Sequence, residues 1–220
     1  DLYESMVGPT NGYVISNGVS AAFHKIPAEK PEAWRDRDVI LFTGRYSREK
    51  SHATLTDAVA QCRRRDRIQL VFAGDGPLKS SLMARAASLP VPPVFQFYAR
   101  DELLRIINCA DLYVHPAEIE AEGIACLEAI ACGLVPIISD SPRCATKSYA
   151  LTDRNTFRYD DPADLAAKID WWLDHPAERA ECSRQYEAYS RDNLALERCM
   201  DRMADMMKDV VAAKGGDAAR

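Results

Sequence analysis

The sequence contains no uninterrupted apolar run approaching the roughly 18 residues needed to cross a bilayer. Its opening stretch, DLYESMVGPT, lacks the basic and apolar regions of a secretory signal. Both absences predict a soluble protein. There is no C-x-x-C pair, and the seven cysteines (62, 109, 126, 132, 144, 182 and 199) have no zinc-like spacing with the four histidines. They read as reduced thiols, which predicts a cytoplasmic location. Positive charge is not in excess: the formal net charge of −5 argues against bulk nucleic-acid affinity. Internal repeats and low-complexity tracts are lacking too. The first residue is Asp rather than Met, which predicts a processed or truncated product. One local exception to the acidic average is Arg63-Arg64-Arg65-Asp66-Arg67. It reads either as a solvated helix C-terminus complementing the macrodipole or as a membrane or anion-binding surface.

What is present is enough apolar residue, 47% of 220, to bury a real core. Short apolar runs at Val39–Thr43, Ile68–Ala73, Val94–Tyr98, Leu112–His115 and Val135–Ser139 have no polar face. That is the pattern of parallel strands covered on both sides. Helical composition fills the gaps at Leu55–Arg64, Leu78–Ser88, Asp101–Cys109 and Gly123–Cys132. The fold class is therefore α/β, a doubly wound parallel sheet. Residues 1–38 form a linker with a short strand near Val14–Val19 and an Asn17-Gly18 turn, and residues 39–176 form the Rossmann-like unit. Asp161-Pro162-Ala163-Asp164 starts a helix ending near His175-Pro176. Residues 177–220 form a C-terminal segment with one long helix over Ala177–Ala213.

Ligands of open α/β sheets gather beyond the carboxyl ends of the strands. Gly44-Arg45-Tyr46-Ser47-Arg48-Glu49-Lys50 follows the first strong strand with a turn-permitting glycine and several cations, suited either to an anion such as a diphosphate or to an ordinary charged turn. Gly74-Asp75-Gly76-Pro77 marks a turn where backbone passes close to something. Past Tyr98, the backbone at Ala99 either reads a nucleobase edge or belongs to a helix capped by Asp101. The richest stretch runs from His115 to Gly133. Gly123 permits close approach, and the free N–H groups of Ile124 and Ala125 favour phosphate. Glu128 suits the hydroxyls of a ribose and Glu120 those of a sugar beyond it. Both are equally readable as solvated helix-start charges, as are Glu118 and Glu122, and His115 reads as a structural strand-end residue.

Ser16-Asn17-Gly18-Val19, Gly44-Arg45-x-Ser47-x-Glu49-Lys50, Gly74-Asp75-Gly76-Pro77, Ala110-Asp111-Leu112-Tyr113-Val114-His115 and Glu120-x7-Glu128 followed by Ala129-x-Ala131-x-Gly133-x-x-Pro136 occur in this order. Together they resemble the C-terminal half of family 4 retaining glycosyltransferases with the GT-B fold, and the local sequence around Glu120–Glu128 and Ser141–Thr146 is most similar to bacterial sterol or diacylglycerol glucosyltransferases. The resemblance implies that residues 39–176 bind a nucleotide sugar, usually a UDP-sugar, without metal or other cofactor. Arg45 and Lys50 would neutralise the leaving diphosphate. Gly44, Gly74, Tyr98, Ala99, Gly123, Ile124 and Ala125 would line the donor site, Glu128 would hold the ribose, and Glu120 would contact the sugar without acting as a covalent nucleophile. It also implies a lipid or glycan acceptor, action at the inner membrane face, and an N-terminal acceptor domain absent from these residues, towards which the last helix would cross. Glu122 departs from the apolar or small residue common at its position. The competing readings are a non-catalytic nucleotide-sugar-binding module and a GT-B-fold sugar-nucleotide epimerase.

Overall fold

The structure, a computed structural model, describes residues 12–217. Six parallel strands form its sheet: β1 (Asp38–Thr43), β2 (Ile68–Ala73), β3 (Val94–Gln96), β4 (Leu112–His115), β5 (Pro136–Ser139) and β6 (Thr156–Phe157), in the order β3-β2-β1-β4-β5-β6. The helices are α1 (His52–Gln61), α2 (Lys79–Ala86), α3 (Arg100–Cys109), α4 (Ile124–Ala131), α5 (Pro162–Asp174), α6 (Pro176–Asn193) and α7 (Leu196–Asp217). Every residue of β2, β4 and β5 is buried. Such strands need no polar face because helices cover both sides of the sheet.

This strand order reverses direction between β1 and β4, the place where an open α/β sheet leaves a crevice at its carboxyl edge. β1 and β2 pair in register from Asp38↔Ile68 to Thr43↔Ala73, so their two glycine turns leave the sheet at one level. Ile40 and Leu41 pair with Leu112 and Tyr113, which carries His115 up beside the end of β1.

Several details depart from the sequence expectation. Val14–Val19 is no strand: its contribution is a single bridge, Val19 to Ala195, with Val19 N–H donating to Leu194 O at 2.7 Å and Leu196 N–H to Val19 O at 3.1 Å. The same contact interrupts the long C-terminal helix, which is two helices, α6 and α7. β3 stops at Gln96, releasing Phe97 and Tyr98 into the loop. β6 was not expected. α5 begins as its Asp-Pro signal predicts, with Asp161 accepting from Asp164 N–H at 2.9 Å.

Two members of the basic run, Arg63 and Arg64, are tied to other elements of the fold. Asp170, nearly buried on α5, accepts from Arg63 N–H at 3.1 Å and from its Nε at 3.1 Å. Arg63 also reaches Asp174, and Arg64 pairs with Asp38 at 3.1 Å. The surface-site reading of this run is thereby corrected for Arg63 and Arg64: they fasten the end of α1 to α5 and β1. Among the described residues no helix is long and apolar enough to cross a membrane. All seven cysteines are buried and unpaired.

Candidate functional site

The carboxyl ends of β1, β2 and β3 and the first turns of α4 enclose a cavity of about 410 Å³. Of the expected donor residues, Gly44, Arg45, Gly74, Tyr98, Ala125 and Glu128 line it. The loop after β1 is held by Tyr46, a fully buried residue that sequence reasoning passed over. Its hydroxyl donates to Phe72 O at 2.6 Å, its N–H to Asp75 O at 2.9 Å, and its carbonyl accepts from Leu78 N–H at 3.1 Å. With Tyr46 fixed inward, its neighbour Arg45 is exposed and has no carboxylate partner among the described residues.

The glycine turn after β2 makes the close approach expected of it. A Cβ on Gly74 would lie 1.9 Å from Gly44 O, and one on Gly76 would lie 2.6 Å from the backbone of Tyr46. What passes close is the neighbouring loop of the same chain. The two loops nest backbone to backbone and make one floor.

Beyond β4 the chain folds back under Glu120, whose N–H donates to Arg143 O at 3.1 Å and whose carbonyl accepts from Ala145 N–H at 2.9 Å. The Glu120 carboxylate is bound by the Lys50 ammonium, so two of the three residues expected to be catalytic are already joined. His115 Nε2 stands 3.5 Å away on its other side. That length is at the limit of a hydrogen bond, and the contact is better described as electrostatic orientation. The imidazole beside it and the ammonium, acting against burial, hold the Glu120 carboxyl at about 2. Burial lowers the pKa of His115, which favours the neutral ring. Its Nδ1 faces the Tyr113 hydroxyl at 3.4 Å, and that hydroxyl faces Thr43 Oγ1 at 3.4 Å. With Nδ1 as acceptor, Nε2 carries the proton and points it at Glu120. This buried relay was not legible in the sequence; alternate positions on β4 place Tyr113 and His115 on one face.

Glu128 contrasts with Glu120. It is half-buried on the cavity wall, no ion pair or hydrogen bond from the protein reaches its carboxylate among the described residues, and burial raises its pKa, with Arg100 opposing the shift. An acceptor-only group in this position lacks donors.

Gly123 adopts φ +79°, and a Cβ there would lie 2.5 Å from Thr146 Oγ1. It starts α4 without a side-chain cap, so the N–H groups of Ile124 and Ala125 carry no protein acceptor among the described residues. Ile124 is exposed and is not among the residues that line the cavity. Ala99 N–H donates to Glu102 Oε2 at 3.1 Å and its carbonyl accepts from Leu103 N–H at 2.8 Å, leaving the second lone pair of that carbonyl open. Both backbone groups serve α3, and Glu102 rather than Asp101 caps that helix. Two further expectations are corrected. Glu118 pairs with Arg143, while Glu122 accepts from Asn17 N–H at 2.9 Å, from Asn17 Nδ2 and from Ser16 Oγ. Neither is a free solvated charge.

The chain shares 41% identity with the catalytic domain of cholesterol-α-glucosyltransferase from Helicobacter pylori, over 70% of this chain and 97% of that one, with a TM-score of 0.68. It is 32% identical to the GDP-mannose-dependent α-(1-6)-phosphatidylinositol dimannoside mannosyltransferase of Mycobacterium tuberculosis over 139 residues, 60% of this chain. The match spans only 36% of that curated relative's length. Anabaena HepE, solved with UDP and glucose, shares the fold at 18% identity, with a TM-score of 0.77 over 90% of this chain and 57% of that one. The family model for glycosyl transferases group 1 matches residues 25–189. With nested loops at the carboxyl edge of a doubly wound sheet and that match over most of its length, the chain belongs to the glycosyl transferases group 1 family.

Proposed function

We propose that this chain is the nucleotide-sugar-binding part of a retaining glycosyltransferase, which transfers glucose from UDP-glucose to a lipid or glycan acceptor together with an acceptor domain outside these residues. The observation that carries the reading is Glu128, a half-buried carboxylate without a protein donor inside the cavity. A ribose offers two adjacent hydroxyls, the donor chemistry this group lacks. The unpartnered Arg45 guanidinium and the free N–H groups of α4 then take the diphosphate.

In this reading the charge that develops on the departing diphosphate is met by Arg45, Lys50 and the first N–H groups of α4, all in place before reaction. Glu120, oriented by Lys50 and neutral His115, accepts from hydroxyls of the sugar and keeps the anomeric carbon over the diphosphate. Retention follows from attack by the acceptor on the face the leaving group vacates, assisted by that group. The choice of glucose and of a sterol-like lipid is supported by the Helicobacter pylori relative, named for α-glucosyl transfer to cholesterol. The choice of UDP is supported by HepE, solved with UDP and with UDP-glucose. The GDP-mannose-dependent relative marks the competing donor.

Calorimetric titration of the 220-residue chain with UDP, without added metal, tests the reading. Saturable binding that weakens in both Arg45→Ala and Glu128→Ala is expected. A folded sample that binds no UDP at millimolar concentration, or binding unchanged in both variants, overturns it. For the full-length parent, a glycosidic product supports transfer and an isomerised sugar nucleotide refutes it.

A further inference from the structure

Glu122 directly precedes the turn that starts α4, and its carboxylate is spent on a distant part of the chain. Oε1 accepts from Ser16 Oγ and, at 2.9 Å, from Asn17 N–H, while Oε2 accepts from Asn17 Nδ2. All three donors belong to two consecutive residues, and Asn17 lies 105 positions earlier than Glu122. Hydrogen bonds to an ionised acceptor are about twice as strong as neutral ones. A negative side chain beside a diphosphate site repels the ligand. What Glu122 can contribute to binding is therefore the placement of backbone.

The stretch that Glu122 grips is fixed on its far side. Gly18 adopts φ +77°, a Cβ there would lie 2.8 Å from Leu196 Cα, and Val19 is bridged to Ala195. Glu122 is held from behind as well: its carbonyl accepts from Oγ1 of the buried Thr146 at 3.0 Å. Gly123 follows, with no room for a side chain against Thr146, and α4 begins. The residue clamped between Asn17 and Thr146 thus leads directly into the N–H groups of Ile124 and Ala125, whose direction decides how well a phosphate is met.

We infer that Glu122 is a positioning residue for the donor's diphosphate: by gripping Ser16 and Asn17 it ties the start of α4 to the segment that precedes β1. The inference rests on the donor-site reading above and extends the support of that site to residues outside the cavity. Coupling of this kind is reciprocal. If docking of Ser16 and Asn17 strengthens phosphate binding, a bound phosphate strengthens their docking by the same factor.

The test is a double-mutant cycle for UDP binding, read by calorimetry on the 220-residue chain. Its members are the parent, Glu122→Ala, the pair Ser16→Ala and Asn17→Ala in one chain, and all three substitutions together. Kd rises about tenfold in Glu122→Ala and about threefold or more in the paired variant, while the triple variant binds no more weakly than Glu122→Ala, because each removes the same contact. Hydrogen exchange at the Asn17 amide gives a readout that a merely structural part would not move: UDP slows it in the parent and leaves it unaltered in Glu122→Ala. If Glu122→Ala does not fold, the paired variant, altered only at side chains that are not buried, and exchange in the parent decide the question. UDP affinity within twofold of the parent in either variant, effects that multiply in the triple variant, or no protection of Asn17 by UDP in the parent overturns this inference alone. A parent that binds no UDP overturns it together with the donor-site reading.

Discussion

Helix α1 has an arginine-containing segment at each end, and the two segments have opposite fates. At its C-terminal end, Arg63 and Arg64 are tied to Asp170, Asp174 and Asp38. At its N-terminal end, Arg45 and Arg48 have no carboxylate partner among the described residues, and Lys50 meets Glu120 in the loop beyond β4. Residue types are nearly the same; position in the fold differs. α1 runs back along the sheet, so one segment lies at the amino edge, where interactions hold elements together. The other lies at the carboxyl edge, where the reversal of strand order opens a crevice. The difference teaches that cationic composition alone does not separate a fastening from a binding site, but the edge of the sheet does.

The comparison can be broken most decisively at Arg45. Arg45→Ala is expected to weaken UDP binding by about tenfold to a hundredfold, the worth of one or more hydrogen bonds to a charged group, with an unchanged melting temperature. Calorimetry and a thermal melt on one sample check it, and a lowered melting temperature with intact binding would reverse the assignment. Asp170→Ala should do the converse: about 2 kcal/mol of stability lost, because the N–H and guanidinium of Arg63 lose a buried acceptor, with UDP affinity retained in denaturant-free titration. Glu128→Gln sharpens the carboxyl-edge reading. Burial raises the pKa of this carboxyl, so its ionised form destabilises the folded state at neutral pH. Removing the charge should leave the melting temperature equal or slightly higher while UDP binding falls about tenfold.

Glu120 carries the opposite sign. Its carboxyl, held at about 2 against an ordinary 4.5, contributes stability that is full above the ordinary value and lost as pH falls towards the folded one. Acid titration of stability should therefore show a loss between these values that is smaller in Glu120→Gln. An identical acid profile would show that His115 and Lys50 do not stabilise the charged form. Last in size, Arg65→Ala should change stability by no more than about 0.5 kcal/mol, since this exposed side chain only reaches Ala60 O at 3.1 Å.

Much of this arrangement is legible in the sequence, for a physical reason. Strands buried on both faces are written as continuous apolar runs, which made β1, β2, β4 and β5 visible. β6 is two residues long with only Phe157 buried, too short to carry a period. The gap between α6 and α7 has no proline or glycine; its cause is Val19, which is distant in sequence. Glycine signals at 74 and 76 report close approach without saying by what, and the approaching body proved to be the loop at Gly44–Tyr46. Glu128 and Arg45 were readable from their place after a strand or near a helix start. The partners of Glu120 and Glu122 were not. A carboxylate's spacing along the chain does not encode whether Lys50, His115 or Asn17 will stand opposite it.

The sequestration of all seven thiols has a practical consequence. Buried and with pKa values raised by desolvation, as for Cys126 and Cys144, they are poor targets for alkylating dyes in the folded chain. A thiol introduced by Ile124→Cys, exposed at the start of α4 and next to the cavity-lining Ala125, would be labelled selectively with the native cysteines left in place. A fluorophore attached there would report occupancy of the cleft in real time, giving the chain the makings of a sensor for its own donor.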